Sequence, residues 1–196
     1  MAWPQDDAPP ARPDWRERFA LGTDLALIGV LVTVAALPVL TAPAALAAGS
    51  AAVRHRYTEG NLPPVRPLLR LYRRGILPGI PVLLVAVALL VDLVAISRGW
   101  VPGGTVLFTG TAAVAAFLGG FATLTLVAIG RDPGLSPRDA ARWAWRSSTA
   151  RPWTALAPAL AGALAFFLAL TMPATIPLVI GFQLFAAHVI SDRLAP

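Results

Sequence analysis

Residues 19–53 read FALGTDLALIGVLVTVAALPVLTAPAALAAGSAAV, and the only charge among them is Asp24. As one helix they would run for about 52 Å, against the roughly 30 Å hydrocarbon core of a bilayer. The chain must therefore turn, and Pro38 and Pro43 mark where. Each proline lacks a backbone donor and disrupts the turn before it. The stretch predicts a span at 19–37, a short turn, and a second helix at about 43–56. That second helix is short and rich in Ala, Gly and Ser. Such residues suit close packing inside a bundle better than contact with lipid.

The same pattern recurs down the chain. Residues 76–97 form an apolar span interrupted only by Asp92, and Pro102-Gly103-Gly104 turns the chain into a charge-free span at about 105–130. Residues 153–192 hold one acid, Asp192, and one histidine, His188, and Met172-Pro173 divides them into spans at about 153–170 and 175–190. The expected fold is all-α: a polytopic transmembrane helical bundle of about six crossings with two basic amphipathic cytoplasmic helices. Residues 1–18, polar and proline-rich, are expected to form a mobile cytoplasmic tail, and 19–193 a single transmembrane domain. A 57% hydrophobic content with 13% charged residues places that domain in lipid, since too few charges remain to solvate a surface.

All sixteen basic residues are arginine, and their placement tests the topology. With the amino terminus inside and six crossings, fifteen fall on the cytoplasmic side and only Arg98 falls outside. That bias obeys the positive-inside rule and puts both termini of a multi-pass protein on the cytoplasmic face of a bacterial inner membrane. The six tryptophans lie outside or at the edges of the spans, as interfacial indoles do. Ala45-Leu46-Ala47 resembles a signal-peptidase site, but cleavage there would leave the basic 54–74 loop without the span that holds it inside. The net charge of +6 is read as complementing anionic lipid headgroups, not nucleic acid, because the arginines flank apolar spans. The absence of cysteine excludes disulfides and thiolate metal sites.

Two loops carry periodic arginines. In Val65–Ile76, Arg66, Arg70, Arg73 and Arg74 follow helical spacing opposite Val65, Leu68, Leu69, Tyr72 and Ile76, so the segment reads as an amphipathic helix at the inner headgroup layer. In the second loop, Ser136-Pro137-Arg138-Asp139 reads as a helix start. Arg138, Arg142 and Arg146 then line one face, with Ala141 and Trp145 expected to turn away. Either basic face fits lipid anchoring or docking of a cytoplasmic partner or neighbouring permease.

Asp24 and Asp92 are the acids within apolar spans, and such residues either mark ion paths or find a partner. Asp24 lies near the inner end of its span and Asp92 near the outer end of its own, so each is expected to be satisfied at an interface and the two not to pair. His188 and Gln183 read as helix-packing or interfacial groups, not as a metal or proton site. Pro38 and Pro43 in one apolar hairpin are echoed by Pro173 and Pro177 in another. No glycine loop followed by lysine, no His-Glu-x-x-His and no Gly-x-Ser-x-Gly occurs, so no catalytic residue, cofactor or metal is expected.

Leu37-Pro38-Val39-Leu40-Thr41-Ala42-Pro43-Ala44, Glu59-Gly60, the Leu71-Tyr72 segment and Asp92 together resemble the YesL-like family, bacterial integral membrane proteins of unknown function. The resemblance covers residues 19–95. Ala42 stands where the family commonly has glycine, and the second helix lacks the family's larger aromatic residues. Family members resemble accessory components encoded beside carbohydrate ABC uptake systems. The resemblance therefore implies a non-enzymatic membrane protein working with ABC permease subunits. The alternative is a small secondary transporter or channel, as a monomer or a homo-oligomer, that uses Asp24 or Asp92.

Overall fold

The computed structural model describes residues 15–150 and 153–194. Its elements are α1 (Trp15–Ala35), α2 (Ala42–Glu59), α3 (Val65–Ser97), α4 (Gly104–Arg131), α5 (Pro137–Ala150), α6 (Trp153–Thr171) and α7 (Ile176–Leu194), with no strand among the described residues. The predicted breaks fall where the prolines stand. Pro38 precedes a single 3-10 turn, Val39–Thr41, and Pro43 is the second residue of α2, where its missing donor costs nothing. Met172 and Pro173 open a matching 3-10 turn, Pro173–Thr175, before α7. Trp15, Arg16, Glu17 and Arg18, expected in the tail, instead form the first turn of α1. Residues 1–14, with Arg12, lie outside the described residues, as does Arg151.

Four helical segments are long and apolar enough to cross a membrane: α1, α3, α4 and Pro173–Arg193. The apolar part of α6, Leu156–Ala169, is shorter, and α2 is not among the four. Large apolar side chains cover the outside of the bundle, with Leu77 79% and Val106 85% exposed. A surface of that kind needs an apolar surrounding.

Val65–Ile76 is not the separate helix expected from its pattern. It is the start of α3, a single helix of 33 residues and about 50 Å. The stripe opposite its arginines is why. Leu68 and Tyr72 pack on the main core, and the Tyr72 hydroxyl donates to the carbonyl of Ala35 at 3.1 Å. Thr41 donates to the same carbonyl at 2.7 Å, so two hydroxyls satisfy the end of α1. One turn further on, glycines let α3 approach the first residues of α2. A Cβ on Gly75 would lie 3.2 Å from Ala44, and one on Gly79 2.9 Å from Pro43.

That contact fixes a depth. The turn between α1 and α2 stands beside Gly75 and Gly79, and the 18 residues Ile80–Ser97 continue past it for about 27 Å. In that extension only Ile96 is buried, and Asp92 meets Thr111 of α4. The α3–α4 hairpin thus projects well beyond the α1–α2 turn.

The core lies among α1, α2 and α7: Leu25, Ile28, Val32, Ala45, Ala52, Val53 and Leu184. Helices α1 and α7 cross at two glycines. A Cβ on Gly29 would strike the carbonyl of Pro177, and one on Gly181 the carbonyl of Leu25. Backbone contact this close admits no side chain at either position.

Candidate functional site

Polar groups from four helices gather at one end of the bundle. Ser50 sits on the buried face of α2, between alanines that bring α4 and α7 close. Its hydroxyl donates to the carbonyl of Leu126 at 2.7 Å. His188 of α7 is fully buried, with Nε2 3.0 Å from Ser50 Oγ and 3.1 Å from the Ser50 carbonyl oxygen. Because the hydroxyl hydrogen is committed to Leu126, both Ser50 oxygens act here as acceptors. Nε2 therefore carries a proton and donates it to Ser50. Gly130 closes the space beside this pair, since a Cβ there would lie 2.7 Å from Ser50 Oγ and 2.8 Å from the imidazole.

One helical turn towards the end, Asp192 accepts from Arg54 Nη1 at 2.5 Å and from Arg131 Nη2 at 2.6 Å. Arg131 also donates to Ser191 at 3.1 Å and lies over the Trp143 ring at 5.4 Å. Two arginines against one aspartate leave one net positive charge around Asp192. At the same end, Arg56 makes a separate pair with Asp24 at 2.6 Å. Among the described residues, His188 Nδ1 and Arg131 Nε are buried without a hydrogen-bond partner. No group of side chains able to hold a metal ion occurs among them. These pairs also place the early part of α1 and the final turns of α2, α4 and α7 at the same end.

The expected site residues divide into three sets. Asp24 was expected to find an interface and finds Arg56, whose side chain is only 13% exposed. Asp92 accepts from the Thr111 hydroxyl at 3.1 Å on the exposed side of the α3–α4 hairpin, and the two aspartates do not meet. Arg66, Arg70, Arg73 and Arg74 are all exposed on the first turns of α3, and none has an ion-pair partner among the described residues.

Arg138, Arg142 and Arg146 line one face of α5, but Ala141 and Trp145 do not turn away. All five lie on one shallow, largely open cleft formed by this single face of α5. Positions i, i+3, i+4, i+7 and i+8 share one helix face. The buried face is Ala140, Ala144 and Ser148, and Ala144 packs against Leu124 and Phe121 of α4.

Gln183 and His188 were read as packing or interfacial groups, and the sequence reading missed the polar centre that His188 forms. A signal existed. Ser50 and Arg54 are four apart on α2, His188 and Asp192 four apart on α7, and the outer members carry opposite charge. Two such i, i+4 pairs match when the helices run parallel, which the pattern does not reveal.

Comparison with protein-family models, with curated proteins and with solved structures finds no match.

Proposed function

We propose that this chain is a non-enzymatic bacterial inner-membrane protein that assists a membrane permease through the arginine face at the start of α3. The observation that carries this reading is the set Arg66, Arg70, Arg73 and Arg74, exposed and without acid partners among the described residues. The opposite stripe is pinned to the core through Leu68 and Tyr72, and the Tyr72 hydroxyl to the end of α1. A rigid rod that presents four guanidinium groups is suited to an acidic partner surface. The resemblance of residues 19–95 to the YesL-like family supports a carbohydrate ABC permease as that partner.

The proposed topology keeps both termini on the arginine-bearing, cytoplasmic side. The α3–α4 hairpin crosses the bilayer. The α1–α2 turn stops within it, because Gly79 stands only about 8 Å along α3 from Arg74. Of the six passages expected from the sequence, the first two then form a hairpin that enters and returns from the inside.

A mild-detergent pull-down of the tagged chain from native membranes, with mass spectrometry of the eluate, tests the function. Co-elution of a permease subunit is expected, together with its loss when Arg66, Arg70, Arg73 and Arg74 become Gln. Persistence of the complex in that variant removes docking by α3. The alternative, a small transporter or channel using Asp24 or Asp92, has less support because both carboxylates already have protein partners. Uptake lost in Asp92→Asn with partner binding intact would favour it.

A further inference from the structure

The α5 cleft has a different composition from the α3 face and points to a different ligand. Helix α5 begins at a well-formed cap. The Asp139 amide donates to Ser136 Oγ at 3.2 Å, and that hydroxyl donates to Asp139 Oδ2 at 2.6 Å. Along the helix, Ala140, Ala144 and Ser148 face the bundle while Arg138, Arg142, Trp145 and Arg146 face outwards. Asp139 pairs with Arg142 at 3.2 Å, which leaves Arg138 and Arg146 without an acid partner among the described residues. Successive arginines four apart stand about 6 Å from one another along the axis. Between them the Trp145 indole is 56% exposed, with its ring edge-on to Phe121 of α4 at 6.5 Å.

The shallow cleft therefore sets three guanidinium groups around an exposed indole whose ring meets Phe121 of α4, and on α4 Phe117 and Val114 are exposed one to two turns further along the helix. A free anion would use the guanidinium groups alone, and an acidic protein segment would leave the apolar continuation uncovered. We propose that this cleft binds one anionic phospholipid. In this arrangement the phosphate lies among Arg138, Arg142 and Arg146, the glycerol region against Trp145, and an acyl chain along Phe121 and Phe117. Guanidinium forks match phosphate oxygens, and indoles settle at headgroup depth. The bound lipid would tie the α4–α5 corner to the inner leaflet. This site is independent of the α3 face, so either can fail without the other.

The test uses the purified full-length chain in neutral detergent. Dioleoylphosphatidylglycerol, dioleoylphosphatidylcholine or inorganic phosphate is titrated in, and melting temperature is read alongside native mass spectra. One retained phosphatidylglycerol with a saturable rise in Tm is expected, and no comparable response to phosphatidylcholine or phosphate. Changing Arg138, Arg142 and Arg146 to Gln is expected to weaken retention by about a hundredfold, on the scale of three basic residues at an anionic surface. Trp145→Ala is expected to weaken it less, and the four-glutamine α3 variant to retain the lipid as the parent does. The single change Arg146→Gln, at an exposed position, gives the same reading if the triple variant folds poorly. Equal retention by parent and arginine variants overturns the proposal. So does an equal response to phosphate alone, which would assign a free anion. Loss of a co-purifying protein from the arginine variants, with lipid retention unchanged, would assign the cleft to that protein and likewise overturn it.

Discussion

Ser50 and His188 are separated by 138 positions in the chain, and their side chains meet at 3.0 Å in the buried centre where α2, α4 and α7 converge. The contact joins the end of the first hairpin to the end of the last. It also explains why Gly130 stands where it does, since any larger residue would occupy the volume of the imidazole and hydroxyl.

Gly130→Ala is expected to lower stability by about 1–3 kcal/mol, the usual cost of overpacking a tight interior. Gly22→Ala, with open space around its Cβ position, is expected to leave stability unchanged or slightly raised. Thermal unfolding of both variants in the same detergent checks the contrast. Equal melting temperatures would mean that the α2–α4–α7 contact is looser than described.

Asp192 holds two arginines, so its removal strands both. Asp192→Asn is expected to cost about 1–3 kcal/mol, with part-exposed side chains keeping the loss below that of a fully buried pair. Adding Arg131→Gln is expected to cost less in that background than in the parent. A double-mutant cycle on melting free energies measures the coupling. Strict additivity would show that Asp192 and Arg131 act independently.

The two aspartates of the apolar segments are expected to behave differently. Asp24→Asn leaves the largely buried Arg56 without its counter-charge and is expected to destabilise the chain clearly. Asp92→Asn, exposed beside Thr111, is expected to change stability by less than about 1 kcal/mol. The order of the two melting temperatures is the readout, and the reverse order would contradict the pairing of Asp24 with Arg56.

Because the chain contains no cysteine, single cysteine reporters can map its depth. Val101→Cys, between α3 and α4, is expected to react with a membrane-impermeant maleimide added to intact spheroplasts. Leu40→Cys, in the α1–α2 turn, is expected to stay unlabelled from that side, and Asn61→Cys to react only after permeabilisation. Labelling of Leu40→Cys from outside would restore two full crossings to α1 and α2.

Helix positions were readable because they follow from local physics. Uncharged runs longer than a bilayer must break, and a proline inside such a run is where the break is cheapest, so Pro38, Pro43 and Met172-Pro173 marked their turns directly, whereas Pro78 and Pro81 are carried inside α3 and Pro158 inside α6. The asymmetry of arginine was equally local. The face of α5 was half legible: the helix and its three arginines could be read, but the side on which Trp145 lies was misjudged. The spacing of 138, 141, 142, 145 and 146 puts all five on one face, and the buried stripe proved to be the small residues Ala140, Ala144 and Ser148.

By itself, then, the sequence determined an all-helical chain, its turn positions and the clustering of charge between apolar runs. Hydropathy, proline and charge act on each segment without reference to its neighbours. Only the tertiary structure decided that Val65–Ile76 continues into α3, that the α1–α2 turn ends beside Gly79, and that Arg54 and Arg131 share Asp192. Those outcomes depend on which helix lies against which and at what depth. Interhelical register is set by glycine contacts and buried polar pairs between residues far apart in the chain, and no periodicity within a single helix encodes it.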